Sequence, residues 1–133
     1  MVARIVGTGS AVPENIVTND DLSRIVDTND EWISTRTGIR ERRIAKEENT
    51  TILACRAAKK ALENAGMDAA DVELILVATC TPDSFFPNTA CRVQKEIGAW
   101  NAVGFDLSAA CSGFVFALST VQKYIKSGVY KNA

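Results

Sequence analysis

The sequence predicts an α/β fold built on a largely parallel, mixed sheet. Residues 72–79, Val-Glu-Leu-Ile-Leu-Val-Ala-Thr, form a nearly continuous apolar run, the pattern of a parallel strand covered on both faces. A second run of this kind lies at 102–107. Segments with helical spacing of apolar residues stand before, between and after these two runs. That alternation is the mark of strands joined by crossover helices.

Taken in order, residues 3–10 read as a short strand running into a Gly-rich turn that Pro13 ends. Gly7-x-Gly9 resembles a dinucleotide turn at first sight. The third glycine position holds Val12, however, and Pro13 follows, so that reading is rejected. Thr18, with Asp21 three residues on, reads as the N-cap of a short helix through Val26. Residues 30–37 form a further helical turn or two, closed by Gly38. Residues 36–46 carry five cations against one Glu and read as a loop or irregular ribbon. Thr50 then opens a helix with Cys55, Ala58, Leu62 and Ala65 on one stripe and Gly66 as its stop. After the first apolar strand come a loop at 82–87 and a helix at 88–97. After the second comes a helix at 113–126 that stops near Gly128.

That last helix reads oddly. From 109 to 121 small and apolar residues go almost all the way round, which demands cover on every side. One sheet covers one side only, so the sequence implies a second layer that this chain does not supply.

The totals narrow the function. A chain of 133 residues suits one domain, and such a chain buries about two-thirds of its unfolded surface. Apolar residues make up 47% and charged residues 23%, with a net charge of −1. No global field therefore argues for nucleic acid or an anionic membrane. No apolar run reaches the roughly 20 residues that span a bilayer, and the apolar start is too short for a signal peptide. A soluble cytoplasmic protein is expected. The four cysteines, at 55, 80, 91 and 111, include no C-x-x-C pair, and there is no histidine. No zinc pattern and no disulfide framework are expected. Chemistry that needs an imidazole must draw it from outside the chain.

Cys111 is the candidate nucleophile. It sits just beyond a buried strand and at the start of a helix, a placement like the nucleophile elbows of other enzymes. Ala109, Ala110, Ser112 and Gly113 leave room for a substrate and for a sharp turn. A helix N-terminus favours a thiolate by about 0.3–2 kcal/mol. That assists a nucleophile but supplies no general base. On chemistry alone Cys111 also suits a small buried hydrophobe, the reading kept for Cys55, Cys80 and Cys91.

Several stretches together resemble the ketoacyl-synthase III family of condensing enzymes, which starts bacterial type II fatty-acid synthesis. They are Gly7-Thr8-Gly9-Ser10 followed by Pro13, the run from Asp27 through Trp32 to Arg42, Val77-Ala78-Thr79, Phe86-Pro87, and Asp106-Leu107-Ser108-Ala109-Ala110-Cys111-Ser112-Gly113-Phe114. The resemblance implies the thiolase-like fold, two α/β halves in five layers, α-β-α-β-α. Residues 1–133 would be the N-terminal part of that domain, with the C-terminal half absent from this chain. It implies that Cys111 takes an acetyl or other short acyl group from acyl-CoA. Condensation with malonyl-acyl-carrier protein would follow, with loss of carbon dioxide, to give a 3-oxoacyl product. Trp32 matches the position that stacks on the CoA adenine, and Thr28, Arg36 and Thr37 match positions near its nucleotide and phosphates. Phe86 matches the residue that reaches the neighbouring subunit's acyl pocket in a homodimer. Acyl-CoA is a substrate, and no cofactor or metal is implied.

The same residues have plainer readings. Trp32 suits any half-exposed packing site, the arginines suit a solvated face, and Phe86 beside Pro87 suits a loop anchor. The family's condensing site also uses a histidine and an asparagine from the C-terminal half, and this chain has no histidine. Acylation alone is the chemistry expected of the isolated chain. Two alternatives stay open. One is a non-enzymatic half-domain that pairs with itself or with a C-terminal half. The other is a related condensing enzyme of the thiolase, hydroxymethylglutaryl-CoA synthase or chalcone-synthase kind.

Overall fold

The computed structural model describes residues 3–133. Its contacts divide the chain into two compact units: Val12–Glu48, and Asn49–Ala133 together with the N-terminal residues up to Ala11.

The smaller unit is a two-stranded ribbon with two short helices. Strand β1 (Ile16–Thr18) runs into helix α1 (Asn19–Ser23), then helix α2 (Asp30–Thr37), then strand β2 (Glu41–Arg43). The strands pair antiparallel, with Val17 opposite Arg42. Thr18 caps α1 in a reciprocal capping box with Asp21. The Thr18 backbone and side-chain donors hold the Asp21 carboxyl below its ordinary value. Asn29 caps α2 through the Trp32 N–H, and Gly38 ends it at φ 73°. A left-handed stop of this kind is one that glycine adopts without a Cβ clash. Buried Asn19 ties these pieces together. Its amide donates to Asp30 Oδ1 at 2.7 Å and to the Ile39 carbonyl at 2.8 Å, and its oxygen accepts from Arg42 Nη2 at 2.6 Å.

The larger unit is a parallel strand pair with helices against it. Helix α3 (Thr50–Ala65) is capped by Asn49 and stopped by Gly66. Strand β3 (Leu74–Ala78), helix α4 (Thr89–Ile97) and strand β4 (Val103–Leu107) follow, and helix α5 (Gly113–Ser127) ends the fold. The strands run in register from Leu74 beside Val103 to Ala78 beside Leu107. Side chains alternate between faces. Gly104 lies against Ala90 of α4, where a Cβ would stand 3.2 Å from its backbone. Gly113 lets the first turn of α5 close on Ala78, where a Cβ would stand 3.0 Å away. The apolar centre is Val72, Ala99 and Ala102, packed by Leu62, Met67, Ala69, Ile75 and Ile97.

Several local expectations change. Residues 3–10 form no strand: Thr8 donates its N–H to Asn64 Oδ1 and Lys60 to the Ser10 carbonyl. A strand needs a neighbouring ladder, and this segment instead lies along α3. Gly7 and Gly9 lack the Cβ that would run into the Ala61 and Ala57 carbonyls. Helix α1 stops at Ser23 rather than Val26. The basic stretch contains β2, where Arg42 pairs with Val17 and its guanidinium turns inward to the Val17 carbonyl and Asn19. Helix α5 starts at Gly113 as expected, but its Phe114, Val115, Phe116 and Leu118 are exposed. The cover that its sequence demands is not provided by the described residues.

Candidate active site

Cys111 lies on the turn between β4 and α5, within a single 3-10 turn, Ala110–Ser112, rather than inside α5 itself. Ala110 holds φ 46°, the one positive value outside glycine among the described residues. An alanine in that region costs about 1–2 kcal/mol. Such strain persists only where surrounding bonds fix it, and it gathers at functional sites. Here the Ser112 N–H donates to the Ala109 carbonyl at 3.0 Å, and the Gly113 N–H donates to the Ala110 carbonyl. The Cys111 amide takes no part in these bonds. Its side chain is exposed. A thiol and an amide thus stand together at the carboxyl end of a strand, where α/β sheets place their ligands.

Cys80 braces this turn, and Asp106 and Asp83 fix the helices of the larger unit, roles that the sequence pattern does not show. Cys80, just past β3, is exposed rather than part of the core. Its sulfur accepts the Ala110 N–H at 3.1 Å and lies 3.5 Å from Ser108 Oγ. The Ser108 contact and then the Ala110 amide hold its thiol below the ordinary value. Asp106 of β4 accepts the N–H groups of Thr89 and Ala90 at 2.9 and 2.8 Å, fixing the N-terminus of α4 to the strand that leads to Cys111. Asp83 does the same for α3, accepting from Thr50 and Thr51 at 3.0 and 2.9 Å. Desolvation raises the Asp83 carboxyl, but the Thr51 and Thr50 donors outweigh it and leave it below the ordinary value. A carboxylate at a helix N-terminus is a legible signal only when the two segments are known to meet. Asp83 and Asp106 lie 33 and 17 residues from the amides they bind.

The other cysteines differ. Cys55 is buried on α3 as its stripe predicts, and burial, with the Glu96 carboxylate nearby, pushes its thiol up. Cys91 contacts the Gly104 carbonyl at 3.7 Å within the α4–β4 packing. Phe86 lies in the loop before α4 and is 91% exposed, with Phe85 beside it equally free of cover. Among the described residues no cluster of His, Cys, Asp and Glu could hold a metal ion. No helix there is long and apolar enough to cross a membrane.

The second group of sequence candidates falls together on α2 of the smaller unit. Trp32 is 53% exposed, and the Arg36 guanidinium lies over its ring at 4.5 Å. Arg36 also donates to the Trp32 carbonyl at 3.2 Å. Residues four apart meet on one helix face, and the stack holds a flat guanidinium against a flat indole. Thr37 Oγ1 donates to the Ile33 carbonyl at 2.7 Å and accepts the Ile39 N–H at 3.1 Å. Thr28 is half-buried immediately before the Asn29 cap. The structure therefore gathers Trp32, Arg36 and Thr37 on one helix with Thr28 at its start, and sets Cys111 and Phe86 on loops of the larger unit.

The chain is similar to known proteins along most of its length. A family model described as 3-oxoacyl-[acyl-carrier-protein (ACP)] synthase III matches residues 105–133, the end of β4, the Cys111 turn and α5. Beta-ketoacyl-[acyl-carrier-protein] synthase III of Clostridium acetobutylicum is 58% identical over 129 residues, covering 97% of this chain and 40% of that protein. The protein of the same name from Clostridium botulinum is 60% identical over the same shares. The crystal structure of 3-oxoacyl-[acyl-carrier-protein] synthase III from Aquifex aeolicus superposes with a TM-score of 0.91 at 54% identity, over 94% of this chain and 41% of that one. The chain thus spans about two-fifths of the length of the relatives it matches. Identity of this order along nearly the whole sequence, on a shared backbone, makes the chain a homologue of beta-ketoacyl-[acyl-carrier-protein] synthase III that carries the N-terminal part of the thiolase-like fold.

Proposed function

We propose that this chain is the acyl-accepting part of a ketoacyl-acyl-carrier-protein synthase III. The observation that carries the reading is the exposed Cys111 on a strained turn at the end of β4. The Cys111 sulfur attacks the thioester carbonyl of acetyl-CoA or another short acyl-CoA. A new carbon–sulfur bond forms, the bond to the CoA sulfur breaks, and CoA leaves as a thiolate that takes up a proton. The Cys111 amide donates to the carbonyl oxygen as it gains charge, the use to which unspent backbone N–H groups are best suited. In the second half-reaction malonyl-acyl-carrier protein loses carbon dioxide. The resulting carbanion forms a carbon–carbon bond to the acyl carbonyl, and Cys111 is released as a thiolate. With no histidine among the 133 residues, that step falls to groups outside this chain.

The Trp32–Arg36 stack fits the nucleotide end of CoA. An indole face suits a purine, and a guanidinium suits phosphate; Thr28 and Thr37 lie within the same segment. Exposed Phe86 supports a homodimer in which this loop enters the neighbouring acyl pocket. A cytoplasmic location accords with these soluble substrates.

The test is incubation with isotopically labelled acetyl-CoA, followed by mass spectrometry of the cysteine peptides. Label on the Cys111 peptide, lost in Cys111→Ala, is the expected result. No label, or label distributed over all four cysteines, overturns the reading. A panel of longer and branched acyl-CoAs in the same assay separates a synthase III from other condensing enzymes.

A second reading rests on the exposed apolar side chains of α5. They fit a half-domain that pairs with itself or with the C-terminal half of the same fold.

A further inference from the structure

Cys111 follows Ala110, and Ala110 is where the backbone turns into the left-handed region. Nothing in the local sequence favours that turn, because glycine or asparagine would adopt it more readily than alanine. The bond that fixes it comes from a distant segment. The Ala110 N–H points at Cys80 Sγ, 3.1 Å away and 30 residues back in the chain. Ser108, on the other side of Ala109, brings its hydroxyl to 3.5 Å from the same sulfur. One sulfur atom thus holds both residues 108 and 110. The two strands deliver it there in register. Ala78 stands beside Leu107, and the Thr79 N–H donates to the Leu107 carbonyl at 3.1 Å, so the segments leaving β3 and β4 depart side by side.

We propose that Cys80 is a positioning residue for Cys111: its sulfur anchors the Ala110 peptide and so sets the direction in which the Cys111 thiol and amide face. The proposal rests on the reading of Cys111 as the nucleophile. The Ser108 and Ala110 contacts also lower the Cys80 thiol, as donors to a sulfur acceptor do. Its role is to accept the Ala110 N–H, which a hydroxyl can also do and a methyl group cannot.

The experiment compares the 133-residue chain with Cys80→Ala and Cys80→Ser. One readout is residue-resolved hydrogen exchange at Ala110. The other is the rate at which iodoacetamide alkylates Cys111, followed peptide by peptide across the thiol titration range. In Cys80→Ala the Ala110 amide is expected to exchange faster, and Cys111 alkylation to fall about fivefold to tenfold, the worth of one lost hydrogen bond. Cys80→Ser is expected to restore both to within about twofold, because its hydroxyl accepts the same N–H. Wild-type protection of Ala110 and wild-type alkylation in Cys80→Ala would overturn the proposal. So would equal losses in both variants with exchange rising throughout β3 and α5, since that marks a packing role. Alkylation needs no acyl-CoA. An unsubstituted chain that fails to take label from acetyl-CoA yet shows this alkylation pattern therefore sinks the synthase reading while supporting the positioning role.

Discussion

Trp32 and Arg36 show how much a single pair can carry. The guanidinium already lies over one side of the indole, at 4.5 Å, and donates back to the helix at the Trp32 carbonyl. The pair therefore needs little reordering to present an aromatic surface and a cation to the same ligand. Stacking of a base on an aromatic side chain is worth about 1–3 kcal/mol. Trp32→Ala is accordingly expected to raise the acetyl-CoA concentration for half-maximal labelling of Cys111 by about tenfold or more, with little change in the rate at saturation. Titration calorimetry with CoA checks the same loss without chemistry. Unchanged affinity would return Trp32 to an ordinary surface packing residue.

At the scale of elements, two carboxylates from outside the helices they serve hold the larger unit together. Asp106 is the clearer case, with two N–H bonds to the start of α4. Hydrogen bonds to a charged group contribute about 1.5–3 kcal/mol, so Asp106→Ala is expected to cost about 2–3 kcal/mol in urea unfolding. It should also loosen β4 and with it the Cys111 turn. Asp83 adds a pH dependence whose sign follows from its lowered carboxyl. A depressed carboxylate contributes stability above its unfolded value and loses it as pH falls through the folded one. The difference in stability between the chain and Asp83→Asn should therefore be full at neutral pH. It should vanish at acid pH, below the ordinary carboxylate range. Its size is about 1 kcal/mol, the worth of a helix cap, because the group is exposed to solvent. A difference that grows on acidification would contradict the assignment.

These same elements show what could be read in advance. Helices α2 to α5 and both parallel strands follow from stripes, caps and apolar runs, because those signals are local. Thr18, Asn29, Asn49 and Asn88 cap α1 to α4, and Gly38, Gly66, Gly98 and Gly128 stop α2 to α5. The segment 3–10 misled because its β-like composition is set by contact with α3, through glycines at positions where a side chain would strike the helix backbone. The site divides along the same line. Cys111 and the α2 residues were visible as motifs, whereas Cys80, Asp83 and Asp106 act on amides 16 to 33 residues away. Their partners come within reach only once the strands are paired.

For the whole molecule, the uncovered side of α5 sets the behaviour. Phe114 is 67% exposed, and Val115, Phe116 and Leu118 lie open along the same helix. Contiguous apolar surface of this kind marks an interface or an aggregation site. Burying one such side chain is worth about 1.5–3 kcal/mol, so four together exceed the lower estimates, about 4 kcal/mol, for the freedom lost on association. The chain is expected to bind a hydrophobic dye and to sediment faster as its concentration rises. The double variant Phe114→Ser, Phe116→Ser should do both less, because a helix needs no phenylalanine to form there and both side chains are largely exposed. Phe86→Ser should leave dye binding by α5 in place, since that ring sits on a separate loop. A monomer at all concentrations that binds no dye would mean that α5 finds its cover by repacking within the chain. The Cys111 turn, which leads directly into that helix, would then take up a different geometry from the one described.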